Sequence, residues 1–183
     1  MAGDQEIISR VLSGEVAAFG LLVRRHQDAV LCFSQNMIRD RHEAEDVGQE
    51  VFVAAYRNLR AFDPGRCRFS TWLLVIARNK CLNVLRKRRP LPVAELPPVL
   101  TAQSPDGGLE GEELMGHLDR ALEGLPEEQK TAFVLVELVG TPAEEAALIE
   151  GVEAGTMRSR LSRARAALRS SLGRFAGVPN ENQ

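Results

Sequence analysis

Apolar residues along the chain recur at three- and four-residue steps, the signature of helices with one buried face, and nowhere alternate as a half-buried strand would. Within and just beyond Glu15–Cys32, the positions Phe19, Leu22, Val23, His26, Ala29, Val30 and Phe33 form one such stripe. A second stripe, Ala44, Val47, Val51, Phe52, Ala55, Tyr56 and Leu59, follows the polar turn Arg39–His42. Asp63-Pro64-Gly65 ends it, because proline disfavours helix in the residue before it and glycine accepts left-handed backbone. Ser70 or Thr71 is placed to cap a third helix, whose inward face is expected to be Trp72, Val75, Ile76, Asn79 and Leu82. Three packed helices reaching to about Arg89 make the first unit.

Between Pro90 and Gly108 five prolines and two adjacent glycines interrupt all periodicity, a composition suited to an extended connector. Helical pattern resumes at Leu114, Leu118, Ala121, Leu122 and Leu125, is punctuated at Pro126, and continues through Ala132, Phe133, Leu135, Val136 and Val139 to Gly140. Thr141-Pro142-Ala143-Glu144 reads as a helix start, with Thr141 as N-cap, Pro142 in the first turn and Glu144 closing a capping box. That helix stops at Gly151, and a last one runs from Thr156 to about Leu172 with Met157, Leu161, Ala164 and Leu168 facing inward. The expected architecture is all-α: two small helical domains, 1–90 and 112–175, joined by a flexible linker at 91–111, with a tail at 176–183. The second domain contains a helix-turn-helix.

Composition narrows the function classes. The chain has 183 residues, 44% apolar and 26% charged, which is globular and gives room for one ordinary domain or two small ones. No apolar run approaches the ~18–20 residues of a membrane span, and the opening MAGDQEIISR is acidic before it is apolar, unlike a secretory signal. No membrane insertion and a cytoplasmic location are expected. Three cysteines (Cys32, Cys67, Cys81) and three scattered histidines (His26, His42, His117) follow no ligand spacing, so neither disulfide nor metal site nor cofactor is expected.

The net charge of −2 conceals strong segregation. Residues 57–89 carry ten basic side chains against Asp63 alone, 90–153 carry two basic and fourteen acidic ones, and 154–174 carry six basic and no acidic ones. Two cationic blocks flanking an acidic one suggest two surfaces that face a polyanion. In the second block the inward set of the last helix leaves Arg158, Ser159, Ser162, Arg163, Arg165 and Arg169 on outward and flanking surfaces. Arginines there can pair with guanine O6 and N7 in a major groove, while Thr156 and adjacent amides suit a phosphate at the helix N-terminus. In the first block Arg66, Arg68, Phe69, Trp72, Arg78 and Lys80 mix cations with rings, as single-strand binders do. Trp72 reads better as core, and Phe62, beside the Asp63-Pro64-Gly65 turn, as the base contact. Glu43, Glu45, Asp46, Gln49 and Glu50 form an acidic stripe suited to a basic protein partner.

The runs EAEDVGQEVFVAAYRNL (43–59), RFSTWLLVIARNKCLNVLRKRR (68–89), LPEEQKTAFVLVEL (125–138) and EGVEAGTMRSRLSRARAAL (150–168) resemble regions 2 and 4 of a bacterial sigma-70-family factor. The two-domain size resembles the extracytoplasmic-function branch. The resemblance covers about residues 10–90 and 112–172, with the motifs in order and separated by a linker. It implies a promoter-specificity factor for RNA polymerase, with no catalytic residues of its own. It implies that Glu45, Asp46, Gln49 and Glu50 dock on the β′ clamp helices of core polymerase, and that the β flap is a further contact. It implies that Phe62, Arg66, Arg68 and Phe69, with Arg78, Asn79 and Asn83, hold a flipped-out base of the −10 element and help open the duplex. Thr156, Arg158, Ser159, Ser162, Arg163 and Arg165 would read the −35 element, and an anti-sigma factor is an implied partner. The linker would run near the RNA exit path.

This sequence departs from the family pattern at Gly48, where a bulky aliphatic is common, at Thr141-Pro142, which replace a Ser-Tyr pair, and at Glu150, where an aliphatic usually packs. Other classes fit less well. An adaptor without DNA binding has no need of the two cationic blocks, an autonomous repressor would carry a dimerisation seam, and a hydrolytic enzyme would offer a nucleophile–base pair.

Overall fold

A computed structural model of the chain describes residues 3–88 and 110–173, and every regular element among them is helical. The linker expected at 91–111 lies outside the described residues except for its last two, and so does the whole tail at 176–183. The first element, α1 (Asp4–Leu12), adds to the three helices expected in the first unit; it has Asp4 and Glu6 in its first turn and buries Ile7, Ile8 and Val11. A single 3₁₀ turn at Val16–Ala18 then feeds α2 (Phe19–Met37), so the helix begins four residues after Glu15 and buries Leu22, Val30, Phe33, Ser34 and Met37.

Asp40 caps α3 (Arg41–Arg57): its carboxylate accepts the Glu43 N–H at 3.0 Å, and that hydrogen bond holds the carboxyl below the usual range. Of the predicted stripe, Ala44, Val47, Val51 and Ala55 are buried, joined by Gly48, whereas Phe52 is half-buried and Tyr56 is exposed. After a 3₁₀ turn at Leu59–Ala61 and the Asp63-Pro64-Gly65 loop comes α4 (Phe69–Arg88). Ser70 and Thr71 therefore lie inside α4 and do not cap it. Its buried set is Phe69, Thr71, Leu73, Leu74, Ala77, Cys81 and Leu82, while Trp72, Val75 and Ile76 are half-buried and Asn79 is exposed. One stripe does not describe this helix because α2 and α3 cover one side and α7 covers another.

In the second unit α5 (Glu110–Glu123) leads to α6 (Glu127–Phe133), which widens into one π turn at Val134–Leu138. Gly140, at φ +77°, turns the chain toward α7 (Ala143–Glu150). The expected capping box is absent. Pro142, extended at ψ 142°, is itself the N-cap, its carbonyl accepting the Ala146 N–H at 2.9 Å. Thr141 falls one residue outside the helix, and its N–H bonds the Leu135 carbonyl at 2.9 Å. Gly151, left-handed at φ +67°, closes α7, and α8 (Ala154–Gly173) buries Met157, Leu161, Ala164 and Leu168, the predicted set.

The two helix groups pack on one another. The main core joins Phe33, Met37, Leu73, Leu74 and Ala77 to Ala132, Val134, Leu135, Ala146, Ile149 and Met157, across the span of the linker. A smaller cluster, Leu122, Leu125, Ala164 and Leu168, holds α5 on α8. Thr131 on α6 donates to the Glu127 carbonyl at 2.9 Å and lies against the Met37 sulfur, and burial pushes the neighbouring Lys130 ammonium below its usual range.

Candidate nucleic-acid interface

The loop between the 3₁₀ turn and α4 is pinned by its own polar residues: the Asp63 carboxylate accepts the Gly65 N–H at 2.9 Å, a local turn that needs no left-handed glycine. Behind it opens a cavity of about 650 Å³ whose lining includes Asp4, Arg25, Phe62, Arg66, Arg68 and Phe69. Phe62 is half-buried and meets Phe69 edge-on, with ring centroids 5.5 Å apart, and Trp72 at 5.4 Å. Phe69 is only 2% exposed, so it is a wall of the cavity and an anchor of α4, and Phe62 offers the more accessible ring.

One side of this cavity was not legible as part of a site. Asp4 of α1 binds Arg25 at 2.5 Å and His26 Nε2 at 2.9 Å, and His26 rests edge-on against Phe69 at 5.4 Å. The first turn of α1 thereby fixes residues of α2 beside the loop. The remaining expected −10 residues divide. Arg66 is exposed with Asp63 at 3.6 Å, Arg68 lies 3.1 Å from Glu145 of α7, and Arg78 is ion-paired with Glu150 at the end of α7. Asn79 and Asn83 are exposed farther along α4, and neither lines the cavity.

On α3, Asp46, Gln49 and Glu50 are exposed and line a groove of about 680 Å³ with Val53 and Lys80, while Glu45 is half-buried and pairs with Arg41 at 3.0 Å. Lys80 reaches Glu50 at 2.7 Å, and that hydrogen bond pulls the Glu50 carboxyl below its usual range. Val53 and Tyr56 are exposed beside the carboxylates, giving the ridge an apolar margin.

The pair α7 and α8 is a helix-turn-helix with Gly151–Glu153 as its turn. Thr156, Arg158, Ser159, Ser162, Arg163 and Arg165 are all exposed, because the four inward residues of α8 take the opposite face. From Thr156 to Arg165 the helix rises ~14 Å at 1.5 Å per residue, comparable to the ~12 Å width of a major groove. Arg158 lies 3.3 Å from Glu144, and Arg165 is paired with Glu137. Thr156, Ser159 and Arg163 share a shallow cleft with Gln129 at the start of α8. Arg160 does not join them: it is half-buried, pairing with Glu128 at 2.8 Å and Glu150 at 3.1 Å.

A helix-turn-helix with a cationic outer face, joined to a helical unit that carries a basic-aromatic cavity and an acidic ridge, defines a DNA-binding protein built to engage a protein partner as well. Residues 22–90 match the family model of sigma-70 region 2, and residues 116–168 that of sigma-70 region 4. The chain is 35% identical over 182 residues to RNA polymerase sigma-H factor of Pseudomonas aeruginosa, covering 92% of this chain and 93% of that one. It is 37% identical over 174 residues to ECF RNA polymerase sigma-E factor of Haemophilus influenzae, covering 88% and 91%. Its fold is similar to that of the sigma factor RpoE of Bartonella quintana, solved in complex with the anti-sigma factor NepR, at a TM-score of 0.67 and 26% identity over 84% of this chain and 96% of that one.

The chain belongs to the sigma-70 family, in its extracytoplasmic-function group. It directs promoter-dependent initiation of transcription as a sigma subunit of RNA polymerase. Among the described residues no helix is long and apolar enough to cross a membrane.

Proposed function

We propose that the three surfaces divide the work of initiation, with the helices of 1–90 serving docking and −10 opening and those of 112–175 serving −35 recognition. Glu45, Asp46, Gln49 and Glu50, with the apolar margin of Val53 and Tyr56, dock on the β′ clamp helices of core polymerase; the β flap meets the second unit. Clustered carboxylates favour a basic partner and repel DNA, which orients the chain on the enzyme. Phe62, Arg66 and Arg68, backed by Phe69, hold an unstacked base of the −10 element. Flipping a base costs a few kcal/mol, so a cavity filled only by the extruded base makes opening depend on sequence. Arg78, Asn79 and Asn83 lie along the strand that leads from it. Thr156, Arg158, Ser159, Ser162, Arg163 and Arg165 enter the −35 major groove, where arginines read guanine edges and the α8 N-terminus holds a phosphate.

The observation that carries this reading is the exposure of all six α8 residues, on and flanking the side opposite its buried set, behind the Gly151 turn. No group in the chain is asked to do covalent chemistry; nucleotide addition belongs to core polymerase. The factor works in the cytoplasm, and an anti-sigma factor is a second partner, in keeping with the complex in which its Bartonella relative was solved. Run-off transcription with purified core polymerase on a genomic fragment library, with start sites mapped, tests the proposal. Discrete starts preceded by paired −35 and −10 sequences are expected, and the absence of factor-dependent starts would refute it.

A further inference from the structure

The lining of the cavity behind the Asp63 loop has two origins. The loop and the start of α4 supply Phe62, Arg66, Arg68 and Phe69, while Asp4 comes from α1 and Arg25 from α2. Asp4 lies outside the stretch that matches sigma-70 region 2, which begins at residue 22. Oδ1 of its carboxylate accepts from the Arg25 guanidinium at 2.5 Å, and Oδ2 lies 2.9 Å from His26 Nε2, whose ring rests edge-on against Phe69. Two side chains from separate helices are thereby joined on the cavity wall, with Asp4 25% and Arg25 35% exposed. An unheld arginine spreads over many rotamers; this one meets an incoming group already oriented.

An extruded base is read along its Watson–Crick edge, which its former partner no longer covers. Asp4 offers acceptors only, with lone pairs beyond the two already engaged, and the guanidinium beside it offers donors only, in a planar fork. Together they can present one acceptor followed by two donors. The complementary edge runs donor, acceptor, acceptor, and among the four bases that is cytosine: N4–H to Asp4, N3 and O2 to Arg25. Adenine lacks the second acceptor, thymine runs acceptor, donor, acceptor, and guanine is the reverse of cytosine throughout. Arg66 and Arg68 on phosphates could not make this choice, because the backbone is the same for every base. We propose that Asp4 and Arg25 are specificity-determining residues of the −10 cavity and that the pair selects an extruded cytosine. Phe62 holds a base by its face, and the pair decides which base stays. This inference rests on the assignment of the cavity to an unstacked base under the proposed function.

The test uses the full-length chain with single-stranded pentadeoxynucleotides whose flanks are thymidine and whose central base is cytosine, adenine, guanine or thymine. Trp72, the one tryptophan of the chain, meets Phe62 with ring centroids 5.4 Å apart, so its fluorescence reports occupation of the cavity. The parent is expected to bind the cytosine-centred strand about tenfold more tightly than the other three, within what one bidentate base contact confers. Arg25→Lys keeps the charge and loses the fork, and Asp4→Asn turns an acceptor-only group into a mixed one. Each should bring the four strands to within about twofold of one another while binding the all-thymidine strand as the parent does. Arg24→Ala, at an exposed neighbour outside the cavity lining, should keep the parent's ranking. Circular dichroism follows the fold, and if Asp4→Asn loosens α1, Arg25→Lys decides alone. A loss shared equally by all four strands would mark the pair as structural and overturn the proposal. So would a parent that binds no strand or ranks none above the others, and so would variants that keep the parent's ranking. Factor-dependent starts with core polymerase are scored separately: their absence in the parent would count against the proposed function, whereas the ranking of the four strands decides the pair.

Discussion

Replacing Gly48 by alanine isolates the contribution of one hydrogen-to-methyl change on the helix that carries the carboxylates proposed to dock on polymerase. Gly48 is buried in the middle of α3, between Val47 and Gln49, and its backbone does not need the left-handed region. Glycine at an interior helical position costs about 0.8–1.0 kcal/mol relative to alanine, chiefly in backbone entropy. A Cβ built there would meet Leu31 Cδ2 at 3.2 Å and otherwise only atoms at 4.0 Å. The close atom is the tip of a half-buried side chain, which can yield a few tenths of an ångström at a cost of about 0.5 kcal/mol. The new methyl also gains ~0.5–0.8 kcal/mol of burial, so the net expectation is ~1 kcal/mol of stabilisation. For a chain of this size that is ~2–4 °C in Tm. Thermal and urea denaturation of the two proteins measure it, with co-purification on core polymerase as a check that the ridge is undisturbed. A fall in Tm would show that the α2–α3 contact at Leu31 cannot yield and that packing, not chain entropy, keeps glycine there. Gly48→Val, with two further methyl groups against the same neighbour, is expected to lose ~1–3 kcal/mol by overpacking.

Arg163→Ala should weaken promoter binding by ~1–3 kcal/mol and relax preference at one −35 position, which an unchanged promoter profile would contradict, whereas Arg160→Ala should lower Tm through the loss of its Glu128 and Glu150 pairs. Duplex binding should fall with salt at a log–log slope of roughly 0.9 per phosphate contacted, and a salt-insensitive affinity would refute a phosphate-facing α8. Asp46→Lys with Glu50→Lys should abolish capture of core polymerase while leaving helicity intact; retained capture would remove the acidic ridge from the docking surface. Burial pushes the Cys81 thiol up to about 11, so it stays protonated until the pH nears that value. Iodoacetamide at pH 8 should therefore label Cys32 and Cys67 before Cys81, as read by peptide mass spectrometry.

The parts of this molecule that could be read from its sequence are those where one helix faces one neighbour. Met157, Leu161, Ala164 and Leu168 keep strict period because α8 has a single buried side, and the arginines opposite them follow by geometry. α4 defeats the same reasoning, because it is covered from two directions and its burial spreads over Leu73, Leu74, Ala77 and Cys81. α1 escaped because nine residues with Ile7, Ile8 and Val11 buried give only about two and a half turns of pattern. Asp4 and Arg25 of the cavity wall, and the His26 that Asp4 holds, went unread with it, although the sequence signal existed in the acidic first turn of a short apolar segment. The Thr141 cap failed on a one-residue shift, since Pro142 can serve as N-cap itself and the strong motif does not say which residue is first. The shared core, and with it the place of Glu150, depends on how two distant patterns dock. No local periodicity encodes that.

The wide turn at Val134–Leu138 leaves the chain with one residue more than an ordinary helix would use over that stretch, and the surplus is absorbed by a Val139 N–H that reaches back five positions to Val134. Removing a single residue there would restore regular helix at little cost in backbone pairing. It would leave everything upstream at nearly the same azimuth against everything downstream, because the wide turn already fits the extra residue into a single turn. The same surplus in unbroken helix would rotate the two sides by about 100°, one residue's share of a 3.6-residue turn, and swing Thr131 away from the Met37 sulfur it lies against. The bulge thus works as a phase buffer: it confines the added residue to one turn and preserves the azimuth at which α6 meets the rest of the protein.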